Sequence, residues 1–553
     1  MLALSLAAAC AAASGAGLEG DVPAATERVI VRVASSAAWP DLAADLERAN
    51  ARLEAVLTTV PLRVLIRAPS PTHGARLAAD LGASEGVVYA VSEMFRPMEL
   101  RSRYVPNDPL FGEQWALENT GQAGHATGAD VDAPEAWAFT LGSPAVTIAV
   151  LDDGVQLDHP DLAANIAGAG RDFSVYPPAE GAEPRVAADR HGTSVAGVAA
   201  ASGDNGVGVS GICPRCRILP IRVHGSSNLG VAEAFRYAVA QGADVITNSW
   251  GYAPSIRKRA AEAVDAAVRD AIDSAAREGR DGRGTLVVFG MTNEAVDNCG
   301  AHADISALDS VVAVGVSDHN DLIGGSGFGA CMDLVAPAKP ERRSTMGNAT
   351  TDRTGLDGHA DGDYFAAFGG TSAAAPLVAG IAGLLLSLNP ELTRTDLTQI
   401  LEHTADKIDP DHAAYDAAGI SVRAGHGRVN AARALVPNVA ITVTPATVAP
   451  GEPFSVTVAA SAPFGLRGVS WRGVASGDAA LEALRERALD GEAYLSVTWP
   501  ELTIERPGTY AFEAFAEDLR AADPKSDYPH RAQTAPGQMA SLTVVERADD
   551  DSR

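Results

Sequence analysis

The feature that most constrains this chain is a series of short apolar runs, rich in valine and isoleucine, between residues 146 and 316. Segments of helical character, such as residues 231–240 and 260–276, lie between them. Strands that are apolar on both faces and alternate with helices are typical of a parallel sheet covered on both sides. The sequence therefore predicts an α/β fold whose strands include residues 146–151, 245–246, 286–289 and 311–316.

Three segments of this region place a reactive side chain at the end of a strand or the start of a helix. Asp152 follows an apolar run, and open α/β sheets place their active sites at the carboxyl ends of central strands. His191 enters a helix of small residues, and Ser372 follows two glycines and precedes an apolar helix. Taken singly, these residues are explained as a turn, a packed residue and a helix cap. Together, in the order Asp, His, Ser, they match one established order of the catalytic triad.

Three motifs carry a resemblance to a known family. Residues 152–154 read Asp-Asp-Gly, residues 191–193 read His-Gly-Thr, and residues 370–376 read Gly-Thr-Ser-Ala-Ala-Ala-Pro. Over roughly residues 104–437 the chain resembles the subtilisin-like serine peptidases, or subtilases. The segment 287–294 resembles the family's strand that ends in the oxyanion asparagine, and residues 425–432 resemble the usual end of the catalytic domain. The resemblance implies a subtilisin-like parallel sheet with helices on both faces.

The implied reaction is hydrolysis of peptide bonds by acyl transfer. A serine hydroxyl is a weak nucleophile, so His191 would take the proton of Ser372 during attack. Asp152 would hold the imidazole tautomer and stabilise the imidazolium, and Asn293 with the backbone N–H of Ser372 would stabilise the oxyanion. The catalytic residues are therefore expected to be Asp152, His191, Ser372 and Asn293. The resemblance also implies a segment that pairs with the substrate backbone: Ser249, Trp250 and Gly251.

The chain departs from the family beside the oxyanion asparagine. Thr292 and Ala295 stand where the family usually has glycine. Their side chains are expected to narrow the site or to shift Asn293, which puts the substrate range in doubt.

The first motif resembles the kexin and furin branch of the family more than subtilisin, and so does Arg190 before His191. In that branch the second aspartate, here Asp153, faces the basic residue two positions before the scissile bond. Pro254 stands near the place of an acid in the neighbouring pocket, which Asp304 would supply instead. The alternative is that Asp153 caps a turn, so both a dibasic and a broad cleavage preference stay open.

A structural calcium ion is the one cofactor that the resemblance implies. Asp161 and Asp108 match the family's strong calcium site, and so does the glycine-rich loop 203–209. Calcium takes six to eight oxygen ligands, including amide and backbone oxygens. The alternative is a surface turn with two solvated carboxylates. The expected ligands are Asp108, Asp161, Asn205, Val207 and Val209.

The flanking regions predict an exported zymogen. Residues 1–18 resemble a signal peptide without its basic front end, so the true start is expected upstream. Residues 27–103 resemble an inhibitory and folding-assisting propeptide with a ferredoxin-like α+β fold. The peptidase domain follows at 104–437. Alternating apolar residues then predict an Ig-like β-sandwich at 438–546, and residues 547–553 a disordered tail. The predicted location is secreted or in the cell envelope.

The cysteines leave two questions open. Cys10 after three alanines resembles a lipoprotein acylation site, and the alternative is an ordinary thiol in a removed segment. The four others allow three pairings. The spacing of Cys213 and Cys216 favours a local disulfide over half a zinc site, since no second pair with ligand spacing accompanies it.

Charge narrows the range of partners. The formal net charge is −27, with 70 acidic and 43 basic residues and no basic stripe, which argues against nucleic acid. The expected partners are polypeptide substrates, the chain's own propeptide as inhibitor, and a surface or protein ligand of the C-terminal domain. The rival hypothesis is a catalytically inactive subtilase fold that serves in binding or adhesion.

Overall fold

The computed structural model describes residues 24–33, 46, 48–59, 62–82, 84, 87–95, 103–122, 126–252, 264–300, 304–340, 346–475, 485–488, 492–504, 508–518, 531–533 and 540–544. The chain divides into two compact units, one ending at Arg101 and one beginning at Ser102. The predicted signal peptide, with Cys10, and the predicted tail lie outside the described residues.

The first unit is an antiparallel sheet with strand order β2-β3-β1-β4, which is the ferredoxin-like order. Helix α1 lies between β3 and β4 and packs on the sheet, where Leu77 and Leu81 meet the buried side chains of Val29, Val31 and Ile66. The alternation of apolar residues within 27–33 is typical of such a half-buried strand. The elements are β1 (Ala24–Val33), β2 (Arg52–Thr59), β3 (Leu62–Arg67), α1 (Pro71–Gly82) and β4 (Val87–Phe95).

One prediction in this unit is wrong. The spacing of Leu42, Leu46, Leu53 and Leu57 predicts one helical stripe, but Leu53 and Leu57 lie in β2. Asn50 has a φ of 51°, a left-handed conformation that ends the preceding turn. Leu53 then pairs with Ile66 of β3, so contact with the neighbouring strand overrides the helical spacing.

An eight-stranded sheet with order β12-β11-β10-β9-β5-β8-β6-β7 forms the centre of the second unit. All of its neighbouring strands are parallel except β6 and β7. Its strands are β5 (Thr147–Asp152), β6 (Arg171–Asp172), β7 (Ala179–Glu180), β8 (Arg217–Arg222), β9 (Val245–Asn248), β10 (Leu286–Gly290), β11 (Val311–Ser317) and β12 (Leu334–Pro337). The predicted parallel sheet is confirmed.

Helices cover both faces of this sheet. Ile148 and Val150 of β5 belong to one apolar core, and their neighbours Ala149 and Leu151 belong to another. The first core includes α3 (His191–Ala200), α6 (Thr371–Leu388) and α7 (Arg394–His403); the second includes α4 (Asn228–Ala240) and α5 (Ala266–Glu278). The shorter helices are α2 (Ala133–Trp137), α8 (Pro410–Ala413) and α9 (Ala431–Ala434), and a two-stranded sheet joins β13 (Asn348–Thr351) to β14 (Tyr364–Phe368).

Helix α6 is long and apolar enough to cross a membrane by length and composition alone, but it is almost entirely buried inside the protein. It is therefore the central core helix of this unit. The local disulfide Cys213–Cys216 is confirmed, and Cys299 pairs with Cys331.

Beyond Val436 two sheets share one core. Strands β15, β17 and β20 form one sheet; β16, β18, β19, β21, β22 and β23 form the other. Phe454 and Val456 of the first sheet meet Trp471 and Phe512 of the second. The strands are Asn438–Thr444, Thr447–Val448, Phe454–Ser461, Leu466–Ala475, Arg485–Ala488, Tyr494–Leu502, Gly508–Asp518, Arg531–Gln533 and Ala540–Val544, from β15 to β23.

This β module is joined to the helical layer of the α/β region. Asn389, which follows the last residue of α6, donates from Nδ2 to the carbonyl oxygen of Pro463 at 2.8 Å. The ring of His403 in α7 meets the ring of Tyr494 with 5.4 Å between centroids. Ala493 belongs to the apolar core of the α/β region itself. The module is therefore packed onto that region at the carboxyl end of α6.

Candidate active site

Asp152 and His191 are brought together at the carboxyl edge of the sheet. Asp152 is the last residue of β5, and His191 is the first residue of α3. Oδ1 of Asp152 and Nδ1 of His191 are 2.8 Å apart, and the Asp152 side chain is 5% exposed. The His191 ring also meets the Phe368 ring in a T-shaped arrangement, with 5.4 Å between centroids. The imidazole is thereby fixed with Nε2 as its remaining proton-transfer atom.

The Asp152 carboxylate shapes the basicity of this ring. Burial lowers the pKa of His191, but the charge and hydrogen bond of Asp152 and the charge of Asp153 raise it by more. The pKa of His191 is therefore higher than that of an ordinary histidine. Such a ring accepts a proton readily and holds it as an imidazolium beside the carboxylate.

Asp153 occupies a different position from Asp152. Its Oδ2 accepts from the backbone N–H groups of Arg190 and His191 at 3.0 Å each, and its Oδ1 accepts from Gly192 at 2.7 Å. Burial, followed by the charge of Asp152, raises the pKa of Asp153 to about 6. These contacts are those of a residue that caps α3, the alternative that the sequence left open. A role of Asp153 in substrate binding stays a prediction.

Ser372 is the second residue of α6 and is 9% exposed. Gly370 before it has a φ of 67°, and a Cβ at that position would lie 2.6 Å from Oδ1 of Asn293. Glycine is therefore required for the chain to turn into the helix this close to Asn293. Ser372 Oγ donates to the carbonyl oxygen of Ser249 at 3.4 Å. Among the described residues no hydrogen bond joins Ser372 Oγ to His191, a contact that often forms only with substrate bound.

Asn293 is oriented by the residue before the serine. Its Oδ1 accepts from the backbone N–H of Thr371 at 2.9 Å and from the Thr371 hydroxyl at 3.2 Å. The side-chain oxygen is thus occupied, and Nδ2 is left as the donor beside the start of α6. Because a helix N-terminus also favours negative charge, the two groups together suit a developing oxyanion.

Thr292 and Ala295 lie on either side of Asn293 in the chain. The Thr292 hydroxyl lies 2.9 Å from Oδ1 of Asn298 and 3.1 Å from the carbonyl oxygen of Glu294, and Ala295 is exposed. Thr371 donates from its backbone N–H to the Asn293 amide oxygen, at 2.9 Å. The expected displacement of Asn293 and the expected narrowing of the site both stay predictions.

The predicted substrate-binding segment lies beside the serine. The Ser249 hydroxyl donates to the carbonyl oxygen of Ser372 at 3.1 Å, and Trp250 Nε1 donates to the carbonyl oxygen of Leu151 at 2.9 Å. Asp304 is buried against this segment, since a Cβ on Gly251 would lie 2.7 Å from its Oδ2. Pro254 lies outside the described residues.

The predicted calcium ligands meet at the loop 203–209. The Asp161 carboxylate accepts from Nδ2 of Asn205 at 2.8 Å and from the backbone N–H of Val209 at 2.9 Å. Asp108 accepts from the N–H groups of Asp204 and Asn205 at 2.7 and 3.3 Å. Burial raises the pKa of Asp161 to about 6, and the charge of Asp108 adds a smaller contribution in the same direction.

This donor set consists of oxygen atoms, which suits calcium. Asn205 presents its Oδ1 to the backbone N–H of Val207, at 2.7 Å. Within the described part of the chain, no group of three or more His, Cys, Asp or Glu side chains could hold a metal by itself. The remaining ligands would therefore be amide and backbone oxygens of the loop.

Sequence reasoning missed two contacts that support the site. Thr371 belongs to the motif at residues 370–376, and that motif was the sequence feature that could have indicated its contact with Asn293. Asp189 and Arg222 form a buried ion pair at 2.8 Å, and Arg222 lies opposite Asp152 in the register of β5 and β8. Nothing in the sequence pairs two residues so far apart in the chain.

An aspartate–histidine pair, a serine at a helix N-terminus and an adjacent asparagine amide are the residue types that serine hydrolases combine in their active sites. A family model described as the subtilase family, peptidase S8, matches residues 143–427. The chain belongs to the subtilase family.

Several proteins that are similar to this chain in sequence are named as proteases. A calcium-dependent protease of Trichormus variabilis is 33% identical over 397 residues, which cover 67% of this chain and 57% of that protein. Thermitase of Thermoactinomyces vulgaris is 32% identical over 339 residues, covering 60% of this chain and 99% of thermitase. Neuroendocrine convertase 2 of Caenorhabditis elegans is 32% identical, covering 57% of this chain and 49% of that protein. The chain thus spans about half the length of several curated relatives that it matches.

A solved structure supports the fold alone. The serine protease of Aeromonas sobria aligns with a TM-score of 0.53 at 18% identity, covering 81% of this chain and 96% of that one.

Proposed function

We propose that this chain is an exported serine endopeptidase that acts through Asp152, His191 and Ser372, with Asn293 in the oxyanion hole. The observation that carries the proposal is the 2.8 Å contact between Asp152 and His191, at the sheet edge where the first turn of α6 carries Ser372. The alternative of an inactive binding or adhesion protein is not favoured, because all four positions hold competent residue types and Asn293 is oriented as a donor.

The steps follow from these positions. His191 Nε2 takes the proton of Ser372 Oγ as the oxygen attacks the peptide carbonyl carbon. Asn293 Nδ2 and the Ser372 N–H donate to the oxyanion that forms. His191 then gives its proton to the leaving amine, and the acyl-enzyme is hydrolysed by water that His191 deprotonates. Asp152 keeps Nδ1 protonated and stabilises the imidazolium in both halves of the reaction.

A fluorophosphonate tests this function, because it reacts only with an activated serine. We expect the purified chain to be labelled and to cleave unfolded polypeptides. A folded chain that is neither labelled nor active would support the binding-protein alternative.

We also propose that the chain is made as a zymogen whose first unit is removed near Tyr104. Tyr104 is already held in the second unit, since its N–H donates to the carbonyl oxygen of Pro134 at 3.0 Å. Arg103 pairs with Glu135 at 2.7 Å and must leave that partner to enter a cleft. We expect N-terminal sequencing to find a mature start within a few residues of Tyr104. A mature chain that begins near residue 20 would contradict the zymogen proposal.

We propose a structural calcium ion. Its ligands would be the side chains of Asp108, Asp161 and Asn205 and the carbonyl oxygens of Val207 and Val209. Two relatives, from Trichormus variabilis and Nostoc sp., are named calcium-dependent proteases, and the oxygen atoms gathered at this loop support the same ion here. Bound calcium would hold the loop 203–209 against Asp161. It would also offset the repulsion between the carboxylates of Asp108 and Asp161.

Chelation is therefore expected to lower the melting temperature, because a metal that binds only the folded state stabilises it by mass action. Calcium at a hundred times its dissociation constant would contribute about 2.7 kcal/mol. Asp161→Ala should melt lower and no longer respond to added calcium. Scanning calorimetry with calcium and with chelator measures both. Coincident melting curves for the wild-type protein would rule the site out.

A further inference from the structure

The oxyanion loop, which we define as residues 292–298, is paired with a second segment, residues 326–331. Three backbone hydrogen bonds join them. The N–H of Gly327 donates to the carbonyl oxygen of Thr292 at 2.6 Å, and that of Phe328 donates to Val296 at 3.0 Å. The N–H of Asn298 donates to the carbonyl oxygen of Phe328 at 2.9 Å. The loop that carries Asn293 therefore rests on this second segment.

Side chains close the loop from within. The Thr292 hydroxyl and Oδ1 of Asn298 lie 2.9 Å apart, and Asn298 is completely buried. A Cβ on Gly327 would lie 1.7 Å from that same Oδ1, so only glycine permits the approach. The threonine that replaces the family's usual glycine thus bonds across the base of the loop.

A disulfide between Cys299 and Cys331 joins the ends of the two segments. The N–H of Cys331 also donates to Sγ of Cys299 at 2.9 Å. Both cysteines are half-buried, whereas Cys213 and Cys216 are completely buried. A small thiol in solution therefore reaches the Cys299–Cys331 bond first.

We propose that the Cys299–Cys331 disulfide, with the Thr292–Asn298 bond, is a positioning device for Asn293, and that its reduction lowers turnover. The inference rests on the proposed function. An oxyanion donor acts only when it is held in place before the charge develops, and displacement by about 1 Å can cost about a hundredfold in rate. Thr371 fixes Asn293 from one side, and the disulfide fixes the loop from the other.

The reductant is a dithiol such as dithiothreitol. It supplies two electrons, and its two thiol protons pass to the cysteine sulfurs. The bond between Cys299 and Cys331 breaks to give two thiols, while the dithiol closes to a cyclic disulfide. Removal of the dithiol and oxidation by air reverse the change.

The test compares the wild-type protein, Cys299→Ser/Cys331→Ser, Asn293→Ala and the triple variant. We expect the cysteine pair to lower kcat by about tenfold or more with KM almost unchanged. In the Asn293→Ala background the same pair should lower kcat no further, since the donor that it positions is gone. A purely structural role would lower kcat equally in both backgrounds, and that result would overturn the inference. So would an unchanged kcat in the folded cysteine variant.

Reduction of the wild-type protein gives a second measurement that needs no variant to fold. Mild dithiothreitol should lower kcat reversibly and should not affect the cysteine variant, with alkylation mapping the opened bond to Cys299 and Cys331. Amide hydrogen exchange of residues 292–300, which needs no turnover, should become faster on reduction. Unchanged exchange would overturn the inference. Faster exchange in a protein without peptidase activity would support the positioning device and contradict the proposed function alone.

Discussion

Ser372→Ala is expected to abolish peptidase activity and fluorophosphonate labelling while the fold stays intact. The substitution removes Oγ but little volume, and Ala373 to Ala375 show that alanine fits the first turn of this helix. The one hydrogen bond that Oγ donates, to Ser249 at 3.4 Å, is long and contributes little stability. Turnover of a peptide substrate, labelling and the melting temperature measure the three expectations.

The residual rate decides the role of Ser372. Once a triad member is removed, oxyanion stabilisation and binding leave only about 10³–10⁴-fold over water. A purified Ser372→Ala protein that keeps more than about one percent of wild-type kcat would mean that another group is the nucleophile. In that case, substitution of a second triad residue should lower kcat as much in the Ser372→Ala protein as in the wild-type protein. In a true triad, which acts as one unit, the second substitution should lower kcat little further.

Asp152→Asn is expected to lower kcat by about 10⁴-fold, because the amide no longer holds the Nδ1–H tautomer or stabilises the imidazolium. The pH profile should change as well. The Asp152 charge helps raise the pKa of His191, so the wild-type enzyme loses activity as pH falls through a value above that of an ordinary histidine. Without that charge the acid limb should move to lower pH. Pre-steady-state and pH-rate measurements of the variant check both effects.

Asp153→Asn is the matched control, since it changes the neighbouring carboxylate in the same way. Asp153 caps α3 through three backbone N–H groups. We expect a loss of about 1 kcal/mol in the free energy of unfolding and an almost unchanged kcat. If Asp153→Asn instead raises KM for substrates with basic residues and leaves stability unchanged, Asp153 binds substrate. Equal losses of kcat in both variants would contradict the assignment of Asp152.

Much of the α/β region could be predicted because its pattern is local. Alternate residues of β5 enter two different cores, and a strand of this kind must be apolar throughout. The proposed catalytic positions come from motifs that are local in the same way, with glycines or small residues at the turn or helix that carries them. Leu53 and Leu57 were assigned wrongly because a short apolar run fits a helix and a strand equally well.

The supports of the site could not be predicted. Thr371 contacts Asn293, which lies 78 residues away in the chain. Thr292 contacts Asn298 within a loop that is hydrogen-bonded to residues 326–331. By sequence Asp153 could be a cap or a substrate-binding residue, and its three contacts with the start of α3 become visible only once the helix is placed. Such contacts depend on which loops meet at one edge of the sheet, and no periodicity in the chain records that.

Helix α6 has a consequence for attaching this protein to a surface. Ser372 lies at its amino end, and Asn389 just past its carboxyl end meets the β module. At 1.5 Å per residue the 18 residues of α6 span about 27 Å. A support coupled through the β module would therefore meet the protein at the end of α6 opposite to Ser372. Immobilisation through that module should leave the labelling of Ser372 by a fluorophosphonate unchanged.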